Sequence, residues 1–344
     1  MRVLMSAGLY DLCGASIVIE NLVNCLGKKG IDVTIGAFNF RRIPPSGAYN
    51  VSVIPMNNVF KLKKFIDEFD IVHNHHPITN YLALLSNKPF IYHYHGAPDF
   101  GRGYLYRFSM LSSIKITSHR FDAVIAVSES GRDKLKQYFN LNKIHVIYNG
   151  VDTDVFKPGL EEKKRKGTPQ FLFVGNLYAH KKVEELIFAL EKLVKRYPRA
   201  HLQIVGVGYT YAKLVNLVRM LGLQEHVSLV GFVPRGELPY YYSSCDAYVT
   251  ASRYELCPLP LLEGWACGKP VVASSIRSHE ELLSVSKAGK IYKVGDVQDL
   301  CATISAVYEH KDEFKRNALQ FAKEHDWSVV ADRITRIYTE ILSD

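Results

Sequence analysis

The chain has 344 residues and a formal net charge of +9, from 43 Lys and Arg against 34 Asp and Glu. That length is about twice the usual domain, so two domains are expected, and the ordinary apolar share excludes a disordered or fibrous chain. No run reaches the about 18 uncharged apolar residues of a membrane span. The six cysteines contain no C-x-x-C pair, which points to reduced thiols in a cytoplasmic protein. The basic excess points to anionic partners.

Strand-like and helix-like segments alternate along the chain. RVLMSA (2–7) is a short apolar run, read as a buried strand and not a leader because Asp11 interrupts the apolar character. An amphipathic stretch from Ser16 to Lys29 follows, closed by Gly30. Then come IDVTIGA (31–37), a helix near Lys61–Glu68, DIVH (70–73), PFIYHYH (89–95), DAVIAV (122–127) and KIHVIY (143–148). The second half repeats the pattern with FLFVG (171–175), a helix over 183–196, HLQIVG (201–206), a helix over 212–221, VSLVG (227–231), DAYVTA (246–251) and PVVAS (270–274). This is the alternation of parallel sheets with crossover helices, buried on both faces. The expected division is 1–156, a solvated basic linker over 157–169, a second domain over 170–326, and a C-terminal helix over 327–344 that packs back on the first domain. Two such domains are expected to face a central cleft, because ligands bind outside the carboxyl ends of parallel strands.

The most informative segment is SRYELCPLPLLEGWACGKPVVAS (252–274), in which Glu255 and Glu263 stand eight residues apart. Pro suits a first helical turn, so Glu255 falls in the loop and Glu263 in the opening turns of a helix that ends at Gly268. A carboxylate there can accept from both hydroxyls of a cis-diol, and backbone N–H groups at a helix start suit a diphosphate. A capping glutamate and a surface glutamate would give the same spacing.

The segment resembles the E-x7-E signature of the retaining glycosyltransferases of family 4, which have the GT-B fold. Further landmarks fall in the family's order: the Gly14 loop, DIVHNHH (70–76), the pair His95–Gly96, AVSES (126–130), YNGVD (148–152), FVGNLYAHKK (173–182), VSLVGFVPRGEL (227–238) and Trp327. The resemblance covers nearly the whole chain. It implies a hexosyltransferase using a nucleoside-diphosphate sugar, with Glu263 on the ribose, Glu255 and His95 on the donor sugar, and Lys181 on the diphosphate. Backbone amides at Gly14 and Leu259 would approach the phosphates. It implies no cofactor and no metal. The chain departs from the family at Cys13, Asn176, Lys182 and Pro258, standing respectively for a glycine, an arginine, a glycine and a residue with a backbone donor. Both glutamates, His95 and Lys181 are retained, so activity is expected; a nucleotide-sugar epimerase or a catalytically silent sugar-nucleotide binder are the alternatives.

Three patterns point elsewhere and are set aside. VDTD (151–154) contains a D-x-D but sits where the family joins its domains, so Asp152 reads as structural. Gly206-x-Gly208 lacks the third glycine of a dinucleotide turn. His73, His75, His76 and His93 crowd near His95, and their placement at neighbouring strand ends accounts for this without a metal. The segment 101–121 interleaves Arg102, Arg107, Lys115 and Arg120 with Tyr104, Tyr106, Phe108 and Met110. As a helix it would suit peripheral contact with an anionic membrane, and hence a lipid-linked or other glycan acceptor. No nucleic-acid module is present.

Overall fold

The protein is described from a computed structural model, which covers every residue except 12, 43, 46, 48, 56, 57, 97–103, 140, 142 and 344, and the side chains of 9 and 104–107. The chain divides into two compact units, residues 1–150 with 327–344, and residues 151–326.

Unit 1 runs β1 (Arg2–Tyr10), α1 (Gly14–Lys28), β2 (Asp32–Phe40), β3 (Asn50–Val53), α2 (Val59–Asp67), β4 (Ile71–Asn74), β5 (Phe90–Tyr94), α3 (Tyr104–Thr117), β6 (Ala123–Ala126), α4 (Glu129–Phe139) and β7 (Ile144–Val146). Its strands form one parallel sheet in the order β3-β2-β1-β4-β5-β6-β7. Central β1 is buried from Val3 to Gly8, which is why its sequence is mostly apolar and not alternating, and the buried Ser6 donates to Asn74 Oδ1 at 2.7 Å. In α1 the core face is Val18, Ile19, Leu22, Val23 and Leu26, the spacing of one helical stripe. The turn that ends it needs Gly30 at φ +78°, where a side chain would be strained.

Unit 2 runs β8 (Gln170–Val174), α5 (Val183–Leu193), β9 (His201–Val205), α6 (Tyr211–Met220), β10 (Val227–Gly231), α7 (Leu238–Ser244), β11 (Ala247–Thr250), α8 (Leu259–Ala266), β12 (Val271–Ser274), α9 (Arg277–Ser286), β13 (Gly289–Tyr292), α10 (Val297–Glu309) and α11 (Lys311–Glu324). The sheet order is β10-β9-β8-β11-β12-β13, again parallel. α8 is buried throughout from Leu261 to Ala266. Trp265 anchors it, donating Nε1–H to Ala288 O at 2.9 Å and meeting Phe321 edge-on at 5.0 Å. Pro258 and Pro260 stand at its start, and the chain turns at Gly268 with φ +71°.

α12 (Trp327–Ser343) returns to unit 1, burying Val330, Ile334, Ile337 and Tyr338. Asp332 on α12 pairs with Lys29 just past α1 at 2.7 Å. Two placements differ from the sequence reading. Residues 151–156 belong to unit 2, where Val151 N–H donates to His325 O at 2.9 Å and Thr153 Oγ1 donates to Asp326 at 2.7 Å. Segment 157–169 is not a free connector. Lys164 N–H donates to Ser244 Oγ at 3.0 Å, and Arg165 pairs with the buried Asp246 at 3.1 Å. Its charges had suggested solvation, but an arginine can reach a carboxylate held at the foot of β11.

Candidate active site

Strand order decides which loops meet. In unit 2 the order reverses between β8 and β11, so the loops leaving these strands open side by side at their carboxyl ends. The first carries Asn176, Lys181 and Lys182; the second carries Glu255 and leads into α8. The loops are zipped by Arg253 N–H donating to His180 O at 2.7 Å. Arg253 also forms a two-pronged ion pair with Glu185 on α5, one prong at 3.2 Å. This clamp was not foreseen, since its partners lie far apart in sequence.

Lys181 and Glu255 form an ion pair, their side chains 18% and 15% exposed. Ser252 Oγ donates to the same carboxylate oxygen at 3.0 Å, and Ser278 Oγ donates to the Glu255 carbonyl at 2.9 Å. Burial opposes ionisation of Glu255, but the Lys181 ammonium, His279 and Ser252 together outweigh it. The carboxyl is therefore held below its usual range.

Glu263 is 3% exposed and engaged at both oxygens, by Arg235 Nη1 at 2.7 Å and Tyr242 OH at 2.9 Å. Both partners rest on Phe156: the guanidinium lies 5.1 Å above its ring, and the Tyr242 ring meets it edge-on at 5.8 Å. Arg235 lies within VSLVGFVPRGEL, a segment legible as a landmark but without an assigned role for this residue. Burial first, and then the Glu255 and Glu263 carboxylates together, push the Tyr248 phenol well above its ordinary value. Both acids thus act on one buried ring.

The remaining unit 2 residues take simple positions. Lys182 has φ +50°, the left-handed conformation for which a glycine is suited, so the backbone shape survives the substitution. Its ammonium lies 3.7 Å from Glu184. Asn176 is exposed just after β8, and Leu259 opens α8. Asp152 accepts from the N–H groups of Asp154 and Val155 at 3.1 Å each, a local cap.

In unit 1 the order reverses between β1 and β4. Gly14 opens α1 after β1, exposed, with nothing within 4 Å of where a Cβ would stand. His95 follows β5. Four histidines form a grid on β4 and β5 and their ends. His73 and His93 are 7° from parallel with a 3.2 Å N···N hydrogen bond; His75 and His95 are 13° from parallel with one of 2.9 Å. Burial, with neighbouring imidazoles second, pushes His73 and His95 down to about 3. These rings are therefore neutral at pH 7.

On α3, Met110 and Ile114 are core residues, while Phe108 and Ile116 are exposed. Arg120, assigned to a basic rim by the sequence reading, instead points inward, donating to Ala83 O at 3.2 Å and Ser86 O at 2.9 Å. Arg102 and the side chains of Tyr104, Tyr106 and Arg107 lie outside the described residues. Among the described residues no helix is long and apolar enough to cross a membrane.

Residues 160–325 match the sequence model of Glycosyl transferases group 1, and residues 13–155 match that of Glycosyltransferase Family 4. The chain belongs to the family 4-like glycosyltransferases. An uncharacterized glycosyltransferase of Methanocaldococcus jannaschii (MJ1607) is 31% identical over 63% of this transferase, which spans 60% of that protein's length. A phosphatidyl-myo-inositol mannosyltransferase of Propionibacterium freudenreichii is 28% identical over 85% of this chain and 77% of its own. Among solved structures, Anabaena Alr3699/HepE in complex with UDP-glucose superposes with a TM-score of 0.81 at 20% identity, covering 99% of this transferase and 100% of that chain. The two Rossmann-like units thus form a GT-B fold.

Proposed function

We propose that the transferase moves a hexose from a nucleoside-diphosphate sugar to a hydroxyl acceptor with retention at the anomeric carbon. The observation that carries this reading is the pair of buried acids, one in an ion pair with Lys181 and one between Arg235 and Tyr242. Unit 2 binds the donor. An ionised carboxylate offers about four acceptor positions, so Glu263 keeps capacity for a ribose diol beside its two partners. Glu255, held ionised, accepts from hydroxyls of the hexose, and the family's role for His95 is a further contact to that sugar.

As the bond between the anomeric carbon and the phosphate oxygen breaks, negative charge grows on the diphosphate. Lys181, with the backbone amide at Leu259, favours that charge over the ground state. The acceptor oxygen bonds to the anomeric carbon, and its proton passes to the departing phosphate; no covalent nucleophile is invoked. Lys182 supplies part of the charge that an arginine at position 176 would have provided.

A glycan or lipid-linked acceptor met at the cytoplasmic face of an anionic membrane accords with the net charge and with the exposed Phe108 and Ile116. Flotation with anionic and neutral vesicles tests that contact; equal binding to both, or none, removes it. The donor is tested by a thermal-shift panel of UDP-, GDP- and ADP-sugars, followed by transfer and NMR of the product's anomeric configuration. One nucleotide should stabilise selectively. Stabilisation by none, or an inverted product, overturns the reading, and conversion of donor to an epimeric donor without acceptor would replace transfer by epimerisation.

A further inference from the structure

The histidine grid of unit 1 holds a feature that strand alternation leaves unexplained. One ring nitrogen from each of His73, His75 and His93 lies within 4.8 Å of the others, and all three side chains are buried. Alternation along β4 and β5 explains why these rings share a face. It does not explain why His75 Nε2 and His93 Nε2, both buried, have no hydrogen-bond partner among the described residues.

No choice of tautomer satisfies His93. His73 Nδ1 bonds to Tyr338 OH at 2.6 Å, and His73 Nε2 bonds to His93 Nδ1 at 3.2 Å. If Tyr338 donates, His73 must donate onward, and His93 carries a buried N–H at Nε2 with no acceptor. If His73 donates to Tyr338, His93 donates to His73, and its Nε2 is a bare lone pair. In the second pattern the His73 Nε2 lone pair accepts from His93 Nδ1, and a cation frees it by shifting the His93 proton to Nε2. His75, donating from Nδ1 to His95 Nε2 at 2.9 Å, leaves its Nε2 lone pair free. A buried polar atom without a partner is costly, and such groups in native proteins are commonly explained by a bound water or ion.

We propose that His73, His75 and His93 bind one divalent cation of the zinc class. Three neutral imidazoles without a carboxylate suit zinc and its late first-row neighbours and not magnesium or calcium. Nitrogen donors about 2.0–2.1 Å from a tetrahedral zinc stand about 3.4 Å apart, close to the 3.2 Å between His73 and His93. Binding through His73 Nε2 and His93 Nδ1 exchanges that hydrogen bond for two metal bonds and leaves the His93 proton on Nε2, so the unpartnered atom that the cation satisfies is His75 Nε2. Two ligands already have the outer partners that orient metal-bound histidines, Tyr338 behind His73 and His95 behind His75. The fourth position is left to a small exchangeable ligand. This site lies in unit 1 and does not depend on the transferase reading.

The test is titration of chelator-treated full chain with Co(II) alone, followed by optical absorption, and with Zn(II) alone by calorimetry. The expected result is one saturable equivalent per chain, with the strong visible bands of low-coordinate Co(II), displaced by Zn(II). His93→Gln should lose that equivalent while circular dichroism stays native. Tyr338→Phe, which keeps the ring and removes the outer hydroxyl, should weaken binding about tenfold and serves as the decisive variant if His93→Gln does not fold. Absence of saturable binding in the parent chain, binding unchanged by His93→Gln, or unchanged affinity in Tyr338→Phe overturns the proposal.

Discussion

The two units place polar chemistry at the carboxyl ends of their sheets in opposite ways. Unit 2 uses charge: Lys181 against Glu255, Arg235 against Glu263 and Arg253 against Glu185. Unit 1 uses a lattice of neutral imidazoles that bond edge to edge across β4 and β5 and stack along them. Charged pairs in a half-buried site hold strong fields ready for an ionic ligand. Neutral rings in a buried one offer lone pairs and shape, and lose stability if protonated.

The largest effect should come from removing the central acid. Glu255→Gln is expected to lower turnover by about two to three orders of magnitude. It should also destabilise unit 2 by about 2 kcal/mol, between the limits for exposed and buried pairs, because Lys181 keeps its charge without a counterion. Transfer assays and urea unfolding read the two effects separately; turnover near the parent level would remove Glu255 from the reaction.

Next comes the clamp. Arg253→Met should cost about 2–3 kcal/mol and raise the donor KM, because the loop bearing Glu255 loses its side-chain tie to Glu185 on α5. A change in neither thermal midpoint nor KM would show that the loops are held by backbone bonds alone.

Acid should separate the units. His73 ionises near 3 in the fold against an ordinary value of 6.5, with Tyr338, His93, His95 and His76 around the cluster. Its contribution is whole above 6.5 and is lost as pH falls toward 3, at up to about 1.4 kcal/mol per pH unit for each such histidine. Glu255, depressed below 4.5, keeps its contribution above that value and loses it only further down. Hydrogen exchange between pH 6.5 and 4.5 should therefore show the β4 and β5 amides losing protection before those of β8 and β11. Unit 2 has its own acid-sensitive rings in His279, held at about 4, and in His180 and His201, each lowered chiefly by burial, so the difference is one of degree. The opposite order would contradict it.

The smallest effect is a gain. Lys182→Gly should stabilise by about 1 kcal/mol, by relieving a side chain at φ +50°, and should reduce donor affinity if the ammonium helps hold the diphosphate. Melting and nucleotide titration check both.

Legibility in the sequence followed burial and locality. Strands such as β1, β4, β5 and β11 stand out because both faces are buried, whereas edge strand β3 has the pattern of a surface loop: Asn50 and Val51 are exposed. Glu255 and Glu263 were legible because loop, prolines and helix lie in one segment. Arg235 and Arg253 were not, because an ion pair formed across a sheet leaves no local period: Arg253 and Glu185 are 68 positions apart. The connector reading of 157–169 failed for the same reason, since Asp246 was visible only as the start of a strand.

The rigid seat of α8 has a practical consequence for redesign. No side chain between Leu261 and Ala266 reaches solvent freely, and Trp265 is tied to Ala288 and wedged on Phe321. Randomising that stretch would yield mostly unfolded clones. A library aimed at new sugar nucleotides belongs instead at Val207 and Phe232, which project openly just beyond β9 and β10, and spares Tyr209, whose hydroxyl accepts from Ala179 N–H at 2.9 Å in the loop that carries Lys181.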